Sequence, residues 1–349
     1  MNVLIVKLTS MGDLVQALPA LTDASGARPG LAFDWVVDEA FAEVPSWHPA
    51  VNRVIKTAHR RWRKGVAKFA IGELGAFVSD LRQRRYDAVI DAQTNLKSSL
   101  VTRLARGPRH GPDRASVREW PAHWAYQHHY TIERNRLAID RWRQLFAAVL
   151  GYPQPDTAPD FGLNGISWRK PEVAPAEPYL VFVPNASWDN KYWTESHWRD
   201  LVARAVTDGY QVLLTWGSDK ERMRTESLAK GLNGATVLPR MNLTDIAGMM
   251  VHSGGTIAMD TGLAHVSAAL GVPTVTLYGP TDPALIGATG ARSSHVVASG
   301  FACMPCYRRE CNYGDYRGPQ AQCLKAITPE RVWHSFGSLS GSARLINKD

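Results

Sequence analysis

Four groups of residues in this chain have types and spacings that could do chemistry. The first is Met259-Asp260-Thr261-Gly262-Leu263-Ala264-His265. Before it, Thr256-Ile257-Ala258-Met259 reads as a short buried strand. After it, Leu263, Val266, Ala269 and Leu270 recur at helical spacing until Gly271 and Pro273 stop the helix. A strand, a tight turn and a helix put free backbone N–H groups, a hydroxyl and an imidazole at a helix start. Unpaired donors and the helix dipole attract anions there. The pattern predicts a diphosphate seat with Thr261, Gly262 and His265 around it and Asp260 facing something rich in hydroxyls. The plainer alternative makes Asp260 or Thr261 an N-cap and His265 a packed helix residue.

The second group is Thr9-Ser10-Met11-Gly12-Asp13, leaving the apolar run Val3-Leu4-Ile5-Val6. A carboxylate at a strand end can take a proton from a substrate hydroxyl, so Asp13 is a candidate general base, with an N-cap as the alternative. The third is Asn185-Ala186-Ser187-Trp188-Asp189-Asn190-Lys191, after the apolar run Tyr179 to Val183. Lys191 could neutralise a leaving diphosphate, although a single loop lysine is by itself weak. The fourth is the full set of cysteines, Cys303, Cys306, Cys311 and Cys323, with gaps of two, four and eleven residues. A Cys-x-x-Cys turn can place two thiolates on one metal, and two more within loop reach complete a tetrahedral set. Disulfides do not suit a reducing compartment. The expectation is a structural tetrathiolate site for zinc, with iron second; the alternative is reduced loop thiols.

Strands and helices must alternate to position these groups. Phe33 to Val37, Val51 to Lys56 and Ala88 to Asp91 read as further strands of a first half, and Glu73 to Arg85 as a helix. Pro19 should kink or restart the helical stretch that follows Asp13. Tyr152 to Pro178 holds six prolines and little periodicity, and a linker is placed at 166–178. Tyr179 then begins a second alternating series, with strands at Gln211 to Thr215 and Thr236 to Leu238 and helices between. Arg331 to Leu345 reads as a terminal helix. The expected domains are 1–165, 179–327 and a helix and tail over 328–349. Two alternating halves predict α/β architecture: two Rossmann-like domains facing a central cleft, with ligands beyond the C-terminal strand ends.

Composition narrows the function classes. The chain has 349 residues, 45% hydrophobic and 21% charged, which is ordinary for globular proteins with ample core. No apolar run reaches the roughly 18 residues that span a bilayer, and the N-terminus lacks a signal-peptide pattern, so a cytoplasmic protein is expected. The net charge is +8. Residues 1–165 carry 22 Lys plus Arg against 16 Asp plus Glu, a net of +6, so the first half is the one to meet an anionic partner. No nucleic-acid module is recognisable. A Gly-Lys-Ser/Thr phosphate loop, a Gly-x-Ser-x-Gly elbow and a paired-His zinc motif are also absent from the sequence.

The runs Val3-Leu4-Ile5-Val6-Lys7 with Ser10-Met11-Gly12-Asp13, Arg60-Arg61-Trp62-Arg63-Lys64 and Asp87-Ala88-Val89-Ile90-Asp91-Ala92-Gln93 carry a resemblance. So do Lys191-Tyr192-Trp193, Asp260-Thr261-Gly262-Leu263 with His265, and Tyr278-Gly279-Pro280-Thr281-Asp282-Pro283. In order and over most of the chain, they resemble the lipopolysaccharide heptosyltransferases of the GT-B fold (glycosyltransferase family nine), most closely the heptosyltransferase I branch. The resemblance implies an ADP-heptose donor, a Kdo sugar on lipid A as acceptor, and no cofactor needed for catalysis. It implies Asp13 as the base for an inverting attack. Lys191 and Thr261-Gly262 would meet the diphosphate, Asp260 the heptose hydroxyls and His265 a phosphate oxygen. Ser187 would join the donor contacts, Glu221 would face the ribose and Met241 the adenine. The N-terminal domain would take the acceptor, with Ser10, Arg60, Arg61, Arg63, Lys64 and Arg118 on its anionic groups. A cytoplasmic enzyme peripheral to the inner face of the inner membrane follows, with no nucleic-acid partner. The resemblance leaves open heptosyltransferase II, acting on a heptosylated acceptor, and a silent sugar-nucleotide or lipid A binder. Thr94-Asn95 departs from the Gly-Leu often found after Asp91-Ala92-Gln93, and Asn185-Ala186-Ser187 from a loop that often carries two threonines.

Overall fold

A computed structural model describes residues 1–62 and 67–341, and of 67–71 the backbone alone. Arg63, Lys64 and the end of the expected terminal helix lie outside these residues. The chain divides into two compact units, Met1–Ile166 and Ser167–Asp349. Residues 167–178, read from sequence as linker, belong to the second unit. There the Trp168 carbonyl pairs with His252 Nε2 at 2.9 Å, and the Arg169 carbonyl lies where any side chain on Gly248 would collide with it.

The first unit is a six-stranded parallel sheet. Its strands are β1 (Asn2–Val6), β2 (Ala32–Asp38), β3 (Val51–Thr57), β4 (Ala88–Asp91), β5 (Arg109–Pro112) and β6 (His128–Tyr130), in the order β3-β2-β1-β4-β5-β6. The second unit repeats the plan with β7 (Tyr179–Val183), β8 (Gln211–Leu214), β9 (Ala235–Val237), β10 (Thr256–Met259), β11 (Thr274–Tyr278) and β12 (Ser293–Val297), in the order β12-β11-β10-β7-β8-β9. Every pairing is parallel. Central strands of such sheets are covered on both faces and need unbroken apolar sequence. Accordingly β7, β10 and β11 are buried at every residue. Because all strands run one way, the loops after them gather at one edge of each sheet.

Helix ends follow local chemistry. The first helical stretch spans Met11–Val15, and a second begins at Leu18 with Pro19 in its first turn, so the proline restarts the helix as expected. Asn242 caps Leu243–Val251 by accepting from Asp245 N. The terminal helix spans Pro329–Ser340, capped by Thr328. Its Phe336 and Val332 are fully buried in the core of the second unit, with Trp193 and Trp198 stacked edge to face at 5.2 Å beside them. Each such burial contributes about 2–3 kcal/mol.

Candidate active site

In the second unit three neighbouring strands deliver three loops to one place. Lys191 follows β7, Asp260 follows β10 and Thr281 follows β11. The buried Lys191 ammonium donates to Asp260 Oδ2 at 2.5 Å, and the Thr281 hydroxyl donates to the same oxygen at 2.5 Å. The two residues assigned from sequence to different jobs, diphosphate and sugar, are thus partners in one buried ion pair. A pair so far removed from water depends on both members, because either alone is an uncompensated charge. The Lys191 ammonium also lies 4.8 Å over the Trp188 ring. The Asp189–Lys191 turn is held from behind by Trp193, fully buried, whose indole donates to the Ile327 carbonyl at 2.9 Å.

The helix after β10 spans Gly262–Ala269, and Thr261 stands at its N-cap in extended conformation with no capping bond from its side chain. Asp260 is not the cap, since its carboxylate is turned to Lys191 and Thr281. His265, one turn in, is buried. The helix therefore begins without a capping bond from Thr261 and beside a lysine, an arrangement that favours an anion. Ser187 is exposed on the loop after β7. Next to it, Asn185 and Asn190 are buried, and the Oδ1 of each has no hydrogen-bond partner among the described residues. These two acceptors and Thr281 received no role from sequence. The signal that could have found them was their position on loops after adjoining apolar strands.

Glu221 and Met241 follow β8 and β9. Glu221 is the third residue of the helix Asp219–Ala229, whose cap is Ser218; its Oε2 accepts from Gly217 N at 2.7 Å and Ser218 N at 3.2 Å. Its carboxylate braces that turn. Met241 is half-buried in the loop after β9.

In the first unit, the loop after β1 carries Ser10 at the N-cap and Asp13 three residues into the turn. Asp13 Oδ2 accepts from Ser10 N at 2.8 Å and Ser10 Oγ at 2.7 Å. The N-cap is therefore Ser10, and Ser10 fixes the Asp13 carboxylate. Behind them Lys7 is buried, donating to the Ala92 carbonyl at 2.7 Å with its ammonium 3.9 Å over the Trp142 ring. Burial lowers the Lys7 ammonium to about 8, opposed by the Asp13 and Asp91 charges and assisted by Arg141 and Arg118. Lys7, Asp13 and Arg118 thus share one electrostatic neighbourhood, and Lys7 was not singled out from sequence. Asp91, the last residue of β4, accepts from Gln93 N, Thr94 N, Ser98 Oγ and Tyr126 Oη at 2.8–2.9 Å, and burial raises its carboxyl.

The basic run after β3 is only partly available. Arg60 is half-exposed, 3.8 Å from Asp38. Arg61 is spread over Glu39 and Glu73 at 2.8–3.2 Å, and those bonds raise its guanidinium. Trp62 packs on Phe77 with ring centroids 5.8 Å apart, and its indole N–H donates to Glu73 at 2.6 Å. Arg118 is exposed, its backbone N–H held by Thr94 Oγ1 at 3.1 Å.

All four cysteines line one cavity of the second unit. Burial pushes the Cys323 thiol up to about 11, with Cys311, Cys306 and Cys303 adding to the shift. Among the described residues, no group of three or more His, Cys, Asp or Glu stands close enough to hold a metal ion as the side chains are placed.

Sequence comparison fixes the family. The model of glycosyltransferase family 9 (heptosyltransferase) matches residues 74–317. The chain belongs to glycosyltransferase family 9, the heptosyltransferases. Lipopolysaccharide heptosyltransferase 1 of Pseudomonas aeruginosa is 44% identical over 343 residues, covering 95% of this chain and 96% of that protein. Lipopolysaccharide heptosyltransferase 2 of Escherichia coli K12 is 24% identical, covering 97% of this chain and 98% of that protein. The structure of E. coli heptosyltransferase WaaC with ADP-2-deoxy-2-fluoro heptose superposes with a TM-score of 0.82 at 39% identity, covering 97% of this chain and 99% of that one. With these relatives the α/β fold is of the GT-B class, built from two Rossmann-like units, as the motifs had indicated, and the chain is a glycosyltransferase.

Proposed function

We propose that this chain moves heptose from ADP-heptose to a Kdo sugar of Kdo-lipid A in lipopolysaccharide inner-core synthesis, with Asp13 as general base. The observation that carries the donor half is the helix N-terminus at Thr261-Gly262 beside the buried Lys191–Asp260–Thr281 cluster. A diphosphate there meets backbone N–H groups and competes with Asp260 for the Lys191 ammonium. As negative charge grows on the leaving ADP, both interactions strengthen, which is how fixed donors lower a barrier. Asp260, loosened from Lys191, turns to heptose hydroxyls. Asn185 and Asn190 offer buried acceptors for further hydroxyls. Ser187, Glu221, Met241 and His265 complete the donor contacts, and no cofactor takes part in the transfer.

On the first unit, Asp13 takes the proton of the acceptor hydroxyl as that oxygen attacks the anomeric carbon from the face opposite the diphosphate, giving inversion. Ser10 positions the carboxylate. Arg60, Arg63, Lys64 and Arg118 meet the anionic acceptor, and Arg61 ties their segment to Glu39 and Glu73. An acceptor that is a lipid places the enzyme in the cytoplasm at the inner face of the inner membrane, held peripherally. The greater identity to heptosyltransferase 1 than to heptosyltransferase 2, 44% against 24%, favours the Kdo acceptor over a heptosylated one.

The deciding experiment is mass spectrometry of Kdo-lipid A after incubation with ADP-heptose, with a heptosylated acceptor in parallel. One added heptose on the Kdo acceptor is expected. Asp13→Asn should keep donor affinity and lose about 10²–10⁴ in kcat, the usual share of a general base. Product on the heptosylated acceptor alone would move the assignment to heptosyltransferase II. A variant turning over within a fewfold of wild type would remove Asp13 from the chemistry.

A further inference from the structure

Cys303, Cys306, Cys311 and Cys323 are the only cysteines in the sequence, and all four line a single cavity of about 200 Å³. We propose that together they bind one zinc ion, or iron in its place. The site would be structural and would hold the 301–323 segment against the two loops that carry Lys191 and Thr281.

The segment has a need for such a clip. Between β12 and the short helix Gln322–Lys325 the chain forms no helix or strand. Its one ladder contact is the antiparallel bridge between Cys311 and Gly318, with bonds of 2.8 and 3.1 Å. Structureless stretches of this length inside a compact domain are uncommon and call for another constraint. Cys323 is the fixed member, buried in the core beside Gly279, where an added Cβ would come within 3.0 Å of its sulfur. Cys306 and Cys311 are half-buried and Cys303 is exposed. Binding would draw these three toward Cys323 and close the loop.

The donor set selects the ion. Four thiolates are soft ligands, and tetrahedral sulfur sites suit zinc or iron. Each thiol that ligates gives its proton to solvent, leaving a net negative complex. Arg308 and Glu310 both line the cavity, so the lining itself adds no net charge to offset the complex.

The segment also touches the donor-site loops directly. Tyr307 N donates to the Pro280 carbonyl at 2.8 Å, one residue before Thr281. Asn190 Nδ2 donates to the Arg308 carbonyl, one residue before Lys191. The Arg309 guanidinium lies 5.6 Å from the Trp188 ring, the ring over which the Lys191 ammonium sits. Residues 307–309 lie between the second and third ligands. An ion fixing Cys306 and Cys311 therefore fixes the stretch that braces Lys191 and Thr281. These four cysteines are positioning residues, and this last step rests on the donor site proposed above.

The test begins with metal content, which does not depend on the transfer reaction. The full chain, purified without added metal and then incubated with equimolar zinc sulfate, should carry about one metal ion per chain, with its thiols unreactive until a chelator is added. Metal near zero, with Cys303, Cys306 and Cys311 titrating freely in the folded protein, overturns the site; Cys323 is buried with or without an ion. Stripping the metal should raise the KM for ADP-heptose roughly tenfold and leave the acceptor KM unchanged, with zinc sulfate restoring the donor KM. A bound metal whose removal leaves the donor KM unmoved overturns the positioning role. Cys306→Ser with Cys311→Ser should lose the metal; if that variant does not fold, thiol titration of the wild-type protein decides.

Discussion

Lys7 shows what one residue contributes when its surroundings are known. It follows four fully buried apolar residues and is itself buried, so its ammonium sits where charge is disfavoured. Burial lowers it from 10.5 to about 8, while the unfolded chain keeps the ordinary value. Between those two values the unfolded chain holds a proton that the folded chain has released, so stability rises with pH across that window. The contribution of Lys7 is full above pH 10.5 and is lost as pH falls through about 8. Lys7→Met removes this slope. The unfolding free energy of wild type minus that of the variant should rise by about 3 kcal/mol across the window, measured by urea denaturation. A difference that stays flat with pH would mean that Lys7 is solvated.

At the scale of elements, the turn after β4 shows how a threonine is held in a conformation that favours glycine. Thr94 has φ +62°, in the left-handed region where a side chain is strained and glycine is not. The threonine hydroxyl compensates by accepting from Arg118 N at 3.1 Å, while Thr94 N donates to Asp91 Oδ1 at 2.8 Å. Thr94→Gly exchanges about 1 kcal/mol of relieved strain for about 1 kcal/mol of lost hydrogen bond. Its thermal midpoint should stay near that of wild type. The acceptor KM should rise, because Arg118 is no longer held, and the donor KM should not move. An acceptor KM equal to wild type would separate Arg118 from acceptor binding.

At the scale of the molecule, charge is divided unevenly. Residues 1–165 carry +6 of the net +8, and the exposed part of that excess includes Arg60 and Arg118. Exposed charges act over a Debye length of about 8 Å at physiological ionic strength and weaken as salt is added. Steady-state kinetics at rising sodium chloride should therefore show the acceptor KM increasing more for wild type than for Arg60→Ala, with the donor KM less affected in both. Equal salt slopes would count against Arg60 as an acceptor contact. Arg61→Ala should behave differently, since Glu39 and Glu73 engage its guanidinium: its effect should fall on stability of that segment before affinity.

The sequence alone determined the family, the two alternating α/β halves and the loops that carry Asp13, Lys191 and Asp260. Central parallel strands must be apolar on both faces, and β1 from Val3 onward, β7, β10 and β11 are unbroken apolar or β-branched runs that can be read directly. It did not disclose β5, β6 or β12, whose sequences Arg-His-Gly-Pro, His-His-Tyr and Ser-Ser-His-Val-Val are polar. Strands at or near a sheet edge need no continuous apolar face, so pattern fails there. Nor could it show that Lys191, Asp260 and Thr281 form one cluster, that Arg61 is already paired, or that Lys7 lies buried near Asp13. Lys191 and Asp260 are 69 residues apart in sequence. They meet because β10 lies between β7 and β11, an order that side-chain periodicity along the chain does not encode. Local sequence fixes which residues stand at strand ends; the order of strands in the sheet decides which of those ends are neighbours.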